Sequence, residues 1–413
     1  MRRILYIFMI FSFISLSAKD GGSVYSRYGL GDIRYFPSGR SAGFGGVSAA
    51  VFSNYSINRL NPAAWTTLTR TRYEVSGMYE GIFTSDRVKS AYFADMTFTG
   101  FMISFPIMPS RGITLAGGIV PFSSVKYEVT TPTIGEQLQY ENRYIGEGGI
   151  SVGHIGSSVR IGSDINIGAK LNYYFGPLSY TTKQTFSGSS YTNAEVRRST
   201  YLKGIGFTFG GIFTGLNHLL NFPKSSSLNI GLMITTGSDL KQTEEKYYKY
   251  NTQVVLSYDT LITEKEDLHF PYAIGGGISY TTERLLIASD FHFQKWSGTS
   301  ILDTPELQNA MRIALGTELL PKKDPSQSPL KHTVYRAGIY YNSTYYKIKN
   351  RSIDEFGITA GMGIPVFGEI RLDMGIGFSM RGTTEDYLQK ENIIRFTFSL
   401  AGGEPWFVRP EQD

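Results

Sequence analysis

The chain has 413 residues, 41% of them hydrophobic and 18% charged, with a formal charge of +5, 28 tyrosines, 27 phenylalanines, 46 glycines and no cysteine. So small a charge, lowered by two if Arg2 and Arg3 leave with a leader, gives no electrostatic footprint for nucleic acid, and the lack of cysteine excludes disulfides and a lipid-modified cysteine. The weight of aromatic residues and glycine favours strands over helices, and a length that would usually mean several soluble domains is ordinary for a β-barrel.

Residues 1–18 (MRRILYIFMIFSFISLSA) place Arg2 and Arg3 before an apolar run from Ile4 to about Leu16, with small residues at Ser15, Ser17 and Ala18. This is the pattern of a cleaved secretory signal, and the run falls short of the roughly 20 residues that a membrane-spanning helix needs. Residues 19–70 form the next unit. Lys19 to Arg40 is polar, glycine-rich and without period, and is read as an extended lead-in on the periplasmic side. Ser41 to Trp65 (SAGFGGVSAAVFSNYSINRLNPAAW) is crowded with Gly43, Gly45, Gly46, Ala49 and Ala50 and runs into Asn61-Pro62-Ala63. A compact small-residue segment followed only by strands predicts a plug ahead of a closed barrel.

The barrel is placed at 71–402, with a short periplasmic tail at 403–413. Alternation predicts about fourteen strands: 71–84, 92–107, 112–129, 143–160, 165–186, 195–216, 227–248, 268–281, 285–296, 306–319, 333–345, 353–364, 369–381 and 392–402. An even number is what bacterial single-chain barrels show. Connections at 108–111, 162–164, 282–283 and 365–368 are short, whereas 130–142, 249–267 and 382–391 are longer and polar, as expected of periplasmic turns and outer loops. Asn217 to Ser226 and Leu320 to His332, the latter with three prolines, are long where short turns are expected.

The two faces of these segments differ sharply. Ile394, Phe396, Phe398 and Leu400 oppose Arg395, Thr397 and Ser399; Ile370, Leu372, Met374, Ile376 and Phe378 oppose Arg371, Asp373 and glycines; Met311, Ile313, Leu315 and Leu319 oppose Arg312, Ala314 and Glu318. Period two puts each set on one side of a sheet. A soluble sandwich also alternates, but its strands usually run about 5–6 residues, whereas these reach the 9–11 that cross a bilayer. Tyr335 and Tyr341, flanking Ala337 and Ile339, fit interfacial girdles.

The glycine- and alanine-rich opening that ends in Asn61-Pro62-Ala63 and passes at once into strands resembles the hatch and barrel of the FadL/TodX family of outer-membrane hydrophobic-compound channels. The ending Glu391 to Arg409 (ENIIRFTFSLAGGEPWFVR) is similar to the last strand and tail of FadL-like members, although residues follow the last strand where an aromatic residue commonly closes such chains. The resemblance implies a fourteen-stranded barrel in the outer membrane of a Gram-negative bacterium, occluded by an N-terminal hatch holding Gly43, Gly45, Gly46, Asn61, Pro62 and Ala63. It also implies hydrophobic, fatty-acid-like substrates that leave sideways into the membrane at a kinked third strand. The third segment here reads RGITLAGGIVPFSSVKYEV, and Gly117, Gly118 and Pro121 are the kink candidates, because proline donates no ladder hydrogen bond and strand glycines often mark bends.

Asp290, Arg312, Glu318, Arg336, Arg371, Asp373 and Arg395 share the inward register, since arginine on the lipid face would cost about 2–4 kcal/mol at mid-depth. Such a mixed-sign set can hold the plug by ion pairs, line a wet route for a carboxylate, or simply be the polar interior usual in barrels. Nothing points to catalysis, metal or cofactor: the five histidines show no ligand spacing, and Gly43-Phe44-Gly45-Gly46 lacks the rest of a phosphate loop. Two functions compete, a channel for hydrophobic small molecules and a non-transporting subunit of a larger outer-membrane assembly for secretion or barrel insertion. Outer-membrane lipid is the expected surrounding in either case, and the long, polar, aromatic loop Lys246 to Asp267 offers a surface for ligand or for other outer-membrane or periplasmic proteins.

Overall fold

The computed structural model describes residues 21–405 except 135–138, 188–190, 221, 224, 252–255, 300, 302–303, 305 and 322–331. The leader read at 1–18 and the tail from 406 onward lie outside them. A two-residue strand, β1 (Asp32–Ile33), precedes an antiparallel meander. It comprises β2 (Thr71–Ser85), β3 (Ser90–Met108), β4 (Ile113–Pro121), β5 (Ser123–Ile134), β6 (Gln139–Gly148), β7 (Ser151–Ile161), β8 (Ile165–Phe186), β9 (Asn193–Phe213), β10 (Ser227–Thr235), β11 (Ser238–Asn251), β12 (Leu256–Phe270), β13 (Ala273–Thr281), β14 (Leu285–Gln294), β15 (Ala310–Leu319), β16 (Val334–Ile348), β17 (Arg351–Phe367), β18 (Ile370–Gly382) and β19 (Lys390–Glu404). Four staves are broken in two, β4 with β5, β6 with β7, β10 with β11 and β12 with β13, so the meander makes fourteen staves. The barrel closes where β19 pairs with β2, from Lys390↔Ser85 to Glu404↔Thr71.

The alternation in the sequence decides which way the sheet faces. Met311, Ile313, Leu315 and Leu319 of β15 are exposed on the outside while Arg312, Ala314 and Glu318 are buried inside, and β14 and β18 repeat the arrangement. Apolar side chains outward and charges inward is stable only where the exterior is lipid. Tyr335 and Tyr341 lie exposed at the two ends of the apolar stretch of β16.

Three expectations change. The polar stretches 130–142 and 249–267 are not open loops: β5 continues to Ile134 and β6 resumes at Gln139, and β11 and β12 form a long hairpin to Asn251 and from Leu256. Beyond the bilayer both faces meet water, so the hydrophobic period disappears while the backbone ladder continues. The long connection at Asn217 to Ser226 begins inside a single-turn helix, Leu216–Leu219, whereas most of Leu320 to His332 lies outside the described residues.

The lead-in also departs from expectation. It does not hang at the short-turn end; Ser23 Oγ donates to Glu391 at 2.7 Å and Tyr25 contacts Gln389 at the end with the longer connections. Tyr25 and Leu30 supply the cause, because both are buried in an apolar cluster inside that end of the barrel.

Replacing Ile313, exposed on the lipid face, with arginine is expected to destabilise the barrel by about 2–4 kcal/mol. Thr185→Arg, on a hairpin beyond the apolar belt, is expected to leave stability unchanged. Urea unfolding of each variant refolded into lipid vesicles is the check.

Candidate functional site

The lumen is where the chain concentrates its unusual chemistry. Residues 21–70 occupy it and touch the wall on all sides. Gly39–Gly43 form a single helical turn capped by Ser38, whose side chain accepts from Ser41 N. The turn lies so close to the wall that a Cβ on Gly43 would stand 2.7 Å from the Cα of Gly361 in β17. Gly45 and Gly46 then turn the chain with φ of 69° and 79°, values that glycine adopts without strain. Asn61 is fully buried: its side chain donates to Ala49 O at 2.7 Å and accepts from Ala63 N at 3.0 Å, capping the 3-10 helix Pro62–Thr67 with Pro62 at its first position. That helix packs on β7, β8 and β9, and a Cβ on Gly210 would meet Asn61 Oδ1 at 2.0 Å. Gly43, Gly45, Gly46, Asn61, Pro62 and Ala63 are thus brought together in one plug-like body.

Polar anchors tie this body to the wall. Arg34 pairs with Glu80 at 3.0 Å, Arg40 with Glu318 at 2.8 Å, and Arg381 with Asp32 at 3.0 Å. Asp290 accepts from Ser48 N and Ala49 N at 2.6 and 2.7 Å, and Arg312 donates to Gly45 O at 2.7 Å. Buried Arg59 pairs with Glu74 at 3.6 Å and donates to Thr99 O and Ser76 Oγ, each at 2.8 Å.

The seven charged residues predicted to face inward all do so, in connected groups. Arg336 bridges Glu318 at 2.9 Å and Asp373 at 2.6 Å, with Arg371 3.4 Å from Asp373. Arg395 bridges Glu80 and Glu355, each at 2.6 Å. The Arg312 guanidinium lies about 5 Å from the rings of Tyr35, Phe36 and Tyr340, and burial pushes the Tyr35 hydroxyl up to about 12, keeping it neutral beside that charge.

Sequence reasoning missed Glu74, Glu80, Glu355, Arg381 and Glu391 of the wall, and their partners Asp32, Arg34, Arg40 and Arg59 in the N-terminal segment. Glu74 and Glu80 were findable, since both share the face of β2 opposite Val75 and Phe83. The N-terminal partners carried no signal, because a segment without period does not say which way its side chains point.

A second closure lies toward the longer loops. Tyr174, Phe270, Trp296, Tyr345 and Tyr346 form a continuous aromatic row with successive ring centroids 4.7, 5.5, 4.8 and 4.5 Å apart. The connection after β14 folds inward to bury Trp296, Ile301 and Leu307. Between the two closures is a cavity of about 160 Å³ beside Pro121, Phe122, His154, Lys170 and Asp290.

That cavity adjoins the break in the third stave. β4 ends at Pro121 and β5 starts at Ser123, so the break is at Pro121 and Phe122. Gly117 and Gly118 do not bend the strand: they pair with Ile103 and Met102 on one side and with Ile155 and His154 on the other. Their smallness serves close packing instead, since a Cβ on Gly118 would lie 2.2 Å from Phe101 O. The matching irregularity is on β3, where Ser76↔Gly100 is followed by Gly77↔Phe98 and Thr99 is squeezed out as a bulge. Past it, Ser90–Phe98 keep β2 on one side and have no ladder partner on the other among the described residues.

Gly149-Ile150-Ser151-Val152-Gly153 has the spacing of a serine-nucleophile elbow, but Ser151 opens β7 in the barrel wall and no strand-to-helix turn surrounds it. Among the described residues, no group of three or more His, Asp or Glu is placed to hold a metal ion.

The family described as BamG matches residues 1–413. No curated protein matches the chain in sequence. Among solved structures, the CymD monoaromatic hydrocarbon channel is similar with a TM-score of 0.59 and 12% identity, over 92% of this chain and 99% of that one. A Pseudomonas aeruginosa FadL homologue gives 0.59 and 11% over 91% and 99%. The P. putida toluene transporter TodX gives 0.58 and 13% over 92% and 99%. These likenesses establish a FadL-type barrel.

Arg336→Met leaves Glu318 and Asp373 buried without their shared cation and is expected to cost about 3–5 kcal/mol, read as a lower urea midpoint in detergent. Gly361→Val is expected to push the Gly39–Gly43 turn off the wall, read as new protease cleavage within residues 39–68 while the barrel stays intact.

Proposed function

The chain belongs to the BamG family, and we propose that it works in the outer membrane of a Gram-negative cell as a closed, non-conducting barrel, a structural subunit of a larger outer-membrane assembly for protein secretion or barrel insertion. The observation that carries this reading is the double closure of the lumen. Conduction along the whole lumen would need the plug to move, and the plug meets the wall backbone to backbone at Gly43 and Gly361 and through buried pairs such as Arg381–Asp32 and Arg40–Glu318. Leaving one charge of a buried pair unpaired costs about 3–5 kcal/mol, and a ligand can release the plug only by supplying that cost as differential affinity. The useful surfaces are then external: the lipid-facing belt and the hairpins β5–β6, β8–β9 and β11–β12 that project beyond it. No catalysis and no cofactor enter this reading.

A second reading, a channel for hydrophobic small molecules with a lateral exit at Pro121, is favoured by the fold shared with hydrocarbon channels and by the cavity of about 160 Å³ beside the broken stave, similar in volume to an engineered apolar cavity of about 150 Å³ that takes benzene.

One pair of measurements separates the two. Purified barrel in lipid vesicles is expected to leave the flux of fatty acid and toluene at the protein-free level, and chain extracted from its own membranes in mild detergent is expected to migrate with stoichiometric outer-membrane proteins. Flux above background from a barrel that migrates alone would overturn the subunit reading in favour of the channel.

A further inference from the structure

We propose that the inner face of the sheet standing beyond the membrane is a docking surface for one folded cell-surface protein that presents a convex, acidic face. This rests on the subunit reading and says where, and by what chemistry, the partner engages. The breaks in the staves create the sheet. Beyond them β5, β6, β8, β9, β11 and β12 pair in that order, and one level of their inner face runs Val129↔Tyr144, Tyr144↔Thr182, Thr182↔Val196, Val196↔Tyr248 and Tyr248↔Asp259. These strands carry the wall past the bilayer on one side of the mouth. Water lies on both of their faces, because the outer face of β8 changes from Leu171 and Tyr173 in the lipid belt to Ser179, Lys183 and Thr185 past it.

The two faces differ all the same. An outer row reads Thr130, Arg143, Lys183, Glu195 and Lys249 across five strands, and its charges meet within the row, Lys183 with Glu195 at 3.6 Å. The neighbouring inner row reads Val129, Tyr144, Thr182, Val196 and Tyr248, and meets a charge at its far edge, Asp259. Tyr144 and, one row further out, Tyr250 are 39% and 43% exposed. An antiparallel sheet whose faces divide in this way packs the uncharged one, so this face is built to be covered. Three features fix the occupant. Six strands about 4.8 Å apart and about eight residues long present roughly 650 Å², near the roughly 800 Å² that each partner gives to a standard protein–protein interface and far more than a small molecule covers. The sheet continues the barrel wall, so the face is concave and takes a convex partner; a second copy of the chain offers the same concave face and does not fit an isologous contact. At the foot of the uncharged row Arg198, Lys246 and Lys265 all reach the carboxylate of buried Glu244, the two lysines at 3.5 and 3.6 Å. Cations outnumber the acid there, and carboxylates on the partner complement them.

The test is photo-crosslinking in the native host from p-benzoylphenylalanine placed at Tyr144 or Tyr248 on the inner face, with Thr130 and Thr185 on the outer face as controls. Crosslinks from 144 and 248 are expected to map, by mass spectrometry, to one surface-exposed protein at a segment containing Asp or Glu, and to be missing from 130 and 185. Lys246→Glu combined with Lys265→Glu is expected to lower the yield to that of the outer positions while heat-modifiable migration shows the barrel still folded, and Asp or Glu to Lys changes in the mapped segment are expected to restore it. Equal crosslinking from both faces, crosslinks only to glycan or to the chain's own loops, or a yield indifferent to the charge reversal would overturn the proposal. If those negatives coincide with an intact stoichiometric complex, the docking surface fails and the subunit reading stands; if the complex is missing too, both fail.

Discussion

The architecture depends on the need to neutralise charge inside a tube whose outside is lipid. A barrel stave can keep arginine and glutamate only on its inner face, and the inner face of this barrel carries Arg312, Arg336, Arg371, Arg381 and Arg395 with Glu74, Glu80, Glu318, Glu355 and Asp373. The wall does not balance itself in place. Arg381 depends on Asp32 as well as Glu391, and Glu80 and Glu318 each divide their charge between a wall arginine and Arg34 or Arg40 of the N-terminal segment. That segment is therefore a component of the wall's electrostatics. The glycines Gly361 and Gly338 of the wall let its backbone come close enough to play the part.

Much of this was legible in the sequence, and the boundary of legibility is physical. Period two is enforced wherever lipid lies on one side and the packed lumen on the other, so β14, β15, β18 and β19 and their inward charges could be read directly. Past the bilayer that asymmetry ends, and the hairpins β5–β6 and β11–β12 looked like loops although their ladders persist. A compact segment ahead of the strands could be read from its crowded small residues and from Asn61-Pro62-Ala63. Its docking could not, because contacts such as Gly43 with Gly361 or Asp32 with Arg381 join positions more than 300 residues apart through a segment with no period. At the third stave, proline marked the break correctly, whereas Gly117 and Gly118 are there for close packing within an unbroken ladder.

The same frame explains why a FadL-type barrel need not conduct. The fold supplies a tube with one irregular stave, and what the tube does is decided by how its lumen is filled. Here the filling has two layers, a polar one anchored by ion pairs and an aromatic one from Tyr174 to Tyr346, with a small cavity held between them. The irregular stave, broken at Pro121 and Phe122, borders that cavity.

The most direct measurement of the central claim is amide hydrogen exchange of the folded protein in lipid nanodiscs, comparing residues 39–68 with strands β15 to β18. A plug that is part of the wall exchanges as slowly as those strands and is released only when the barrel itself unfolds. Exchange of 39–68 that is faster than the strands by orders of magnitude and speeds further on adding a hydrophobic ligand would show a separately opening gate and contradict the account.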